Sequence, residues 1–141
     1  MTIDARGSAE GIAKMWNLAE ITVGYWVGMK RILMGWFRLI GNREWFLVSV
    51  VYGPHIPVGK KKFLEQIKKL SKLHNEKLWL VAGDFNLITS IEEKRGGLLR
   101  EEPEMEKFKY LHEELKLVEI PTQQRGGSRQ IASRLDRFLA T

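Results

Sequence analysis

Cysteine is absent from the sequence, which excludes disulfides and thiolate metal sites and is compatible with a reducing compartment. Histidine is scarce. His55, His74 and His112 stand far apart, without the spacing that a structural zinc site needs. No apolar run approaches the roughly 18 residues that cross a bilayer, and the opening Met1-Thr2-Ile3-Asp4-Ala5-Arg6 has no apolar signal core. A nuclear or cytoplasmic protein is expected, with no membrane partner. Proline is sparse, and Pro54 and Pro57 fall together in Tyr52-Gly53-Pro54-His55-Ile56-Pro57, where a strand cannot continue. Internal repeats and low-complexity tracts are missing too, so solenoid architectures are excluded.

What is present suits one domain: 141 residues with 44% hydrophobic content can bury a core without staples. The formal net charge of +6 favours an anionic partner, nucleic acid first. Basic residues gather in Lys60-Lys61-Lys62 with Lys68, Lys69 and Lys72, and again in Arg125, Arg129, Arg134 and Arg137. The lysines read either as the solvated face of a helix or as a phosphate-contacting stripe.

In chain order, residues 1–9 read as a frayed, disordered leader and 10–141 as the domain. Ile21, Val23, Tyr25 and Val27 alternate as the inward face of a half-buried strand, and Ile32 to Ile40 is a second apolar run. Gly41-Asn42 is a hairpin signal before a third strand, Trp45 to Tyr52, so the first third predicts an antiparallel meander. Phe63, Leu64, Ile67, Leu70 and Leu73 recur at helical spacing and predict a helix from about Lys60 to His74. A polar loop, Glu92 to Gly97, precedes a second helix with Pro103 in its first turn. Met105, Phe108, Leu111 and Leu115 form its buried stripe, with His112 at the boundary. A basic loop then enters a last strand that ends at Phe138-Leu139.

The most informative stretch is Leu78-Trp79-Leu80-Val81-Ala82-Gly83-Asp84-Phe85-Asn86. Apolar on both faces, it predicts a central strand. Residues two apart point the same way, so Asp84 and Asn86 can project together while Phe85 returns to the core. The pair reads as an ordinary Gly-Asp turn or as a catalytic carboxylate and amide. Tyr52, Asp84 with Asn86, and Asp136 are three strand-end positions that could converge. A carboxylate beside an amide suits phosphodiester hydrolysis. Asp84 would orient or deprotonate the attacking water, Asn86 would donate to a non-bridging oxygen, and Tyr52 would donate to the phosphate. Mg²⁺ would normally offset the charge.

Tyr52-Gly53-Pro54, Gly83-Asp84-Phe85-Asn86 and Ser133-Arg134-Leu135-Asp136-Arg137-Phe138-Leu139, in that order, resemble the endonuclease/exonuclease/phosphatase superfamily. More narrowly they resemble the endonuclease domain of plant LINE-type non-LTR retrotransposons. The resemblance implies an α/β (α+β) fold, an incomplete four-layered α/β sandwich, and Mg²⁺-dependent cleavage of DNA. It gives Tyr52 the phosphate or metal-site tyrosine role, Asp84 the role of nucleophile-orienting acid and Asn86 that of transition-state donor. Asp136 becomes the aspartate that buttresses a catalytic histidine. Nucleic-acid contacts are expected from Arg125, Arg129, Arg134, Lys60 and Lys61.

The departures are specific. The family's upstream asparagine and metal-binding glutamate have no match in Met1 to Glu10, and its Ser-Asp-His segment has no match before Thr141. Ile120-Pro121-Thr122 also runs almost directly into Gln124-Arg125-Gly126-Gly127, where relatives carry an aromatic Thr-Trp strand. The expectation is a domain truncated at both ends, inactive by itself, with open sheet edges that invite self-association. The alternatives are a non-catalytic nucleic-acid-binding module and an unselected gene remnant.

Overall fold

The computed structural model describes residues 2–3, 12–13, 19–75, 77–89, 103–120 and 136–141. Its strands are β1 (Thr2–Ile3), β2 (Ile12–Ala13), β3 (Ile21–Met29), β4 (Ile32–Leu39), β5 (Phe46–Tyr52), β6 (Trp79–Asp84), β7 (Val118–Glu119) and β8 (Asp136–Ala140). The helices are α1 (Pro57–Leu73) and α2 (Pro103–Glu114). A six-stranded mixed sheet has the order β3-β4-β5-β6-β8-β7, and β1 pairs with β2 in a separate ribbon. Within the expected leader, Thr2–Ile3 therefore forms a strand; its other residues lie outside the described set, as does the loop Glu92 to Gly97.

The predicted meander is present, β3 to β5 running antiparallel, and β5 pairs in parallel with β6 through the α1 crossover. The stretch Leu78 to Asn86 supplies β6, which lies inside the sheet between β5 and β8. Both helices cover one face. Phe63, Leu64, Ile67 and Leu70 of α1 and Phe108 and Leu111 of α2 pack against Ile32, Met34, Leu47, Val51, Trp79, Val81 and Leu139 of the sheet. Between β5 and β6 on that face, the Trp79 indole Nε1 donates to Ser49 Oγ at 2.9 Å, satisfying two buried polar groups.

Four local expectations need correction. Register shifts between Val23 and Trp26, so the alternation of β3 changes sides: Trp26 packs edge-on against Phe37 at 5.0 Å, while Tyr25 is 67% exposed. Gly41-Asn42 does not close a tight hairpin. Asn42 Oδ1 accepts from the Glu44 N–H at 3.1 Å, giving the backbone a local partner in place of the ladder, and β5 starts only at Phe46. The tight turn lies instead at Lys30-Arg31, where Met29 pairs with Ile32. Helix α1 begins earlier than expected because Pro57 occupies its first turn, where a missing N–H costs nothing, and Leu73 at its other end is exposed. Among the described residues, no helix is long and apolar enough to cross a membrane.

Candidate functional site

The parallel pair β5 and β6 ends at one level, and the ends are locked by two glycines. Gly83 has φ +132°, and a Cβ there would lie 2.1 Å from the Val51 carbonyl oxygen. A Cβ on Gly53 would lie 1.9 Å from the Phe85 carbonyl oxygen. Only backbone fits between these strands. The contact is closed by the Gly53 N–H donating to the Asp84 carbonyl at 2.6 Å and by Asn86 Nδ2 donating to the Gly53 carbonyl at 2.6 Å. Phe85 turns into the core as expected, against Phe63 and Phe108.

That interlock places the polar residues. Tyr52 pairs with Asp84, and Asp84 pairs with Asp136, so these three sequence-predicted positions form one row across β5, β6 and β8. Neighbouring positions in such a row are about 4.8 Å apart. Alternation from the buried Val51 and Val81 puts Tyr52 and Asp84 on the face opposite the helices. Asp84 Oδ1 accepts the backbone N–H of Asn86 at 2.8 Å. Asn86, at φ +50°, is buried with its amide directed at Gly53, so it does not simply project beside Asp84 as an extended strand would have it.

Two neighbours of Tyr52 join the row's end, and one of them, Arg31, carried no turn or motif signal. The Tyr52 N–H donates to the Arg31 carbonyl at 3.0 Å, which extends the row by one strand. The Arg31 guanidinium lies 5.8 Å from the Tyr52 ring centroid and donates to the Tyr52 carbonyl at 3.5 Å. Tyr52 Oη and His55 Nε2 are 3.2 Å apart. Arg31 could be found only from strand register, whereas His55 stood openly in the Gly-Pro loop.

Of the expected basic contacts, Lys61 is exposed on α1, whereas Lys60 is buried and leaves the solvated lysine face. Arg125, Arg129 and Arg134 lie outside the described residues. Arg137, on the helix face, is buried against the Phe108 ring at 5.4 Å and pairs with Glu119 at 3.3 Å, a packing role. His112 sits at the edge of the α2 stripe, 4.7 Å from the Phe108 centroid. Among the described residues no group of three or more acidic, histidine or cysteine side chains could hold a metal ion. Mg²⁺ is usually held by one or two carboxylates with waters and phosphate oxygens, and Asp84 could supply one such carboxylate.

This backbone course is shared by several solved structures. The endonuclease domain of TRAS1, a telomere-specific non-LTR retrotransposon, aligns with a TM-score of 0.55 at 19% identity, over 79% of this chain and 51% of that one. An endonuclease/exonuclease/phosphatase family protein from Bacteroides thetaiotaomicron gives 0.62 at 10% identity, over 89% and 52%. The human Nocturnin catalytic domain gives 0.52 at 10% identity, over 87% and 49%. The chain has the fold of the endonuclease/exonuclease/phosphatase proteins and spans about half the length of these neighbours. No protein-family model and no curated protein matches the sequence.

Proposed function

We propose that this chain carries one arm of a Mg²⁺-dependent phosphodiesterase site acting on DNA, in the manner of a non-LTR retrotransposon endonuclease, and that the 141 residues alone turn over negligibly. The observation that carries the reading is the row of Tyr52, Asp84 and Asp136 at the end of an interlocked parallel strand pair. Asp84 would take the proton of the attacking water as the new phosphorus–oxygen bond forms and the bond to the leaving oxygen breaks. Tyr52 would donate to a non-bridging oxygen. Asn86 positions Asp84 through its backbone N–H, and the second hydrogen of its side-chain amide would be the donor to the phosphate. Mg²⁺ would require further ligands beyond Asp84 and Asp136.

The fold and the net charge of +6 support a nucleic-acid partner. The absence of cysteine fits work in the nucleus or cytoplasm. Among the described residues β3 and β7 end the sheet, so self-association along an edge belongs to the same reading. The test is amide chemical-shift mapping with a short duplex oligonucleotide, with and without Mg²⁺, beside a plasmid-nicking assay. Shifts should cluster at Tyr52, Gly53, Asp84 and Asn86, with no nicking. Shifts confined to other surfaces would sink the site, and Mg²⁺-dependent nicking abolished by Asp84→Ala would overturn the inactivity. A second reading, a non-catalytic binding module, rests on the net charge of +6 and the exposed lysines of α1. It predicts the same shifts whether or not Mg²⁺ is present.

A further inference from the structure

The row at the site end does not stop at Tyr52. Its backbone partner on β4's side is Arg31, so the order across the sheet is Arg31, Tyr52, Asp84, Asp136: a cation and a phenol, then two carboxylates. Arg31 belongs to the Lys30-Arg31 turn, and Lys30 beside it is exposed. The guanidinium lies beside the Tyr52 carbonyl, at 3.5 Å, and 5.8 Å from the centre of its ring. His55 adds a further nitrogen group at the phenol, 3.2 Å from its oxygen.

We propose that the Lys30-Arg31 turn is a phosphate-contacting element for the nucleic-acid strand, gripping the backbone on the Tyr52 side of the site. This rests on the nucleic-acid reading above and adds a direction to it. A strand with phosphates spaced along it cannot lie over Asp84 and Asp136 unless their charge is offset, whereas one or two phosphates further along it meet a cation pair. Arg31 and Lys30 are positioning residues in this scheme. They fix the register of the strand and leave sequence unread. The exposed lysines at the other end of the sheet, Lys77 before β6 and Lys116 after α2, line a cleft with the C-terminal end of α1. Cations there answer the negative ends of the helices.

The experiment compares two charge-matched double variants of the full chain by fluorescence anisotropy of a labelled duplex, in EDTA, across a salt series. Lys30→Ala with Arg31→Ala removes the turn cations, and Lys77→Ala with Lys116→Ala removes the same charge from the far end. Each lost phosphate contact lowers the slope of log affinity against log salt by about 0.9. The turn variant should therefore lose about 1.8 of slope, and the far-end variant less than half of that. Equal losses, or a turn variant that behaves like the parent chain, would overturn the proposal while leaving nucleic-acid binding intact. A parent chain whose binding ignores salt would instead remove the reading on which the proposal stands. Circular dichroism checks the fold of each variant. Should the double turn variant unfold, Lys30→Glu on the exposed residue alone carries the test. A slope lower by about 1 supports the proposal, and an unchanged slope refutes it.

Discussion

On the helix-covered face of the sheet, polar side chains serve packing: Ser49 answers the Trp79 indole, and Arg137 lies on Phe108 with Glu119 as its ion partner. On the opposite face, the end of β5 and β6 carries Tyr52 and Asp84, whose polar atoms bond locally: the Tyr52 hydroxyl with the loop residue His55, and the Asp84 carboxylate with the backbone N–H of Asn86. The contrast is between groups whose loss leaves something buried and groups whose loss leaves something near the surface. At the ends of β5 and β6 stability and chemistry are separable by face, whereas further along the second face Leu33 and Phe37 of β4 are buried as well. The glycine interlock is the exception, since it belongs to both.

The interlock gives the largest effect. Gly83→Ala would combine φ +132° with a Cβ 2.1 Å from the Val51 carbonyl oxygen, and neither can relax without parting β5 from β6. A loss of about 5 kcal/mol is expected, enough to unfold a domain of ordinary stability, read by urea denaturation. A folded Gly83→Ala protein would show that the strand ends are not locked. Next comes Phe108→Ala on the helix face. The ring is fully buried between Phe85, Arg137 and His112, so truncation should cost about 3–4 kcal/mol. Ser49→Ala leaves the Trp79 N–H buried without its acceptor and should cost about 1–3 kcal/mol, with Ser49→Thr as the partial rescue.

Asn86 sharpens the comparison because it sits at the interlock with a left-handed backbone. Asn86→Gly keeps φ +50° accessible and removes only the bond to the Gly53 carbonyl, at a cost of about 1 kcal/mol. Asn86→Ala adds the backbone penalty, about 1 kcal/mol more. Equal losses for the two variants would mean that the positive φ is not part of what Asn86 contributes.

Much of the architecture was legible in the sequence, because the strong signals there are local. The apolar run of β6, the stripe Met105, Phe108, Leu111 and Leu115, and the Phe85 return to the core all follow from periodicity. Periodicity failed where one residue changes the phase. The irregularity after Val23 reversed the side on which Tyr25 falls, and the letter that marks it is Gly24, since an isolated glycine inside a strand is a bulge signal that alternation alone passes over. The turn at Lys30-Arg31 contains no glycine, asparagine, aspartate or proline, so no turn chemistry announced it. Tyr52, Asp84, Asn86 and Asp136 could be nominated from motifs, but the row they share depends on pairing across strands far apart in sequence. Arg31 entered that row through register alone. The inward amide of Asn86 was hidden for the same reason: its acceptor is the Gly53 carbonyl on another strand's end.

The smallest effect on stability tests the comparison most directly. Tyr52→Phe deletes one hydroxyl whose neighbour, His55 Nε2, is itself exposed, so water can replace each group for the other. The ring stays, and with it the Arg31 stacking at 5.8 Å and the backbone pairing to Asp84. Unfolding free energy should change by less than about 0.5 kcal/mol. If the hydroxyl faces phosphate, the same substitution should weaken the oligonucleotide-induced shifts at Gly53 and Asp84 while leaving urea denaturation untouched. A loss above about 1.5 kcal/mol would instead assign the phenol to packing. The second face would then be no different in kind from the first, and Asp84 would lose the neighbour that makes its strand end resemble a site.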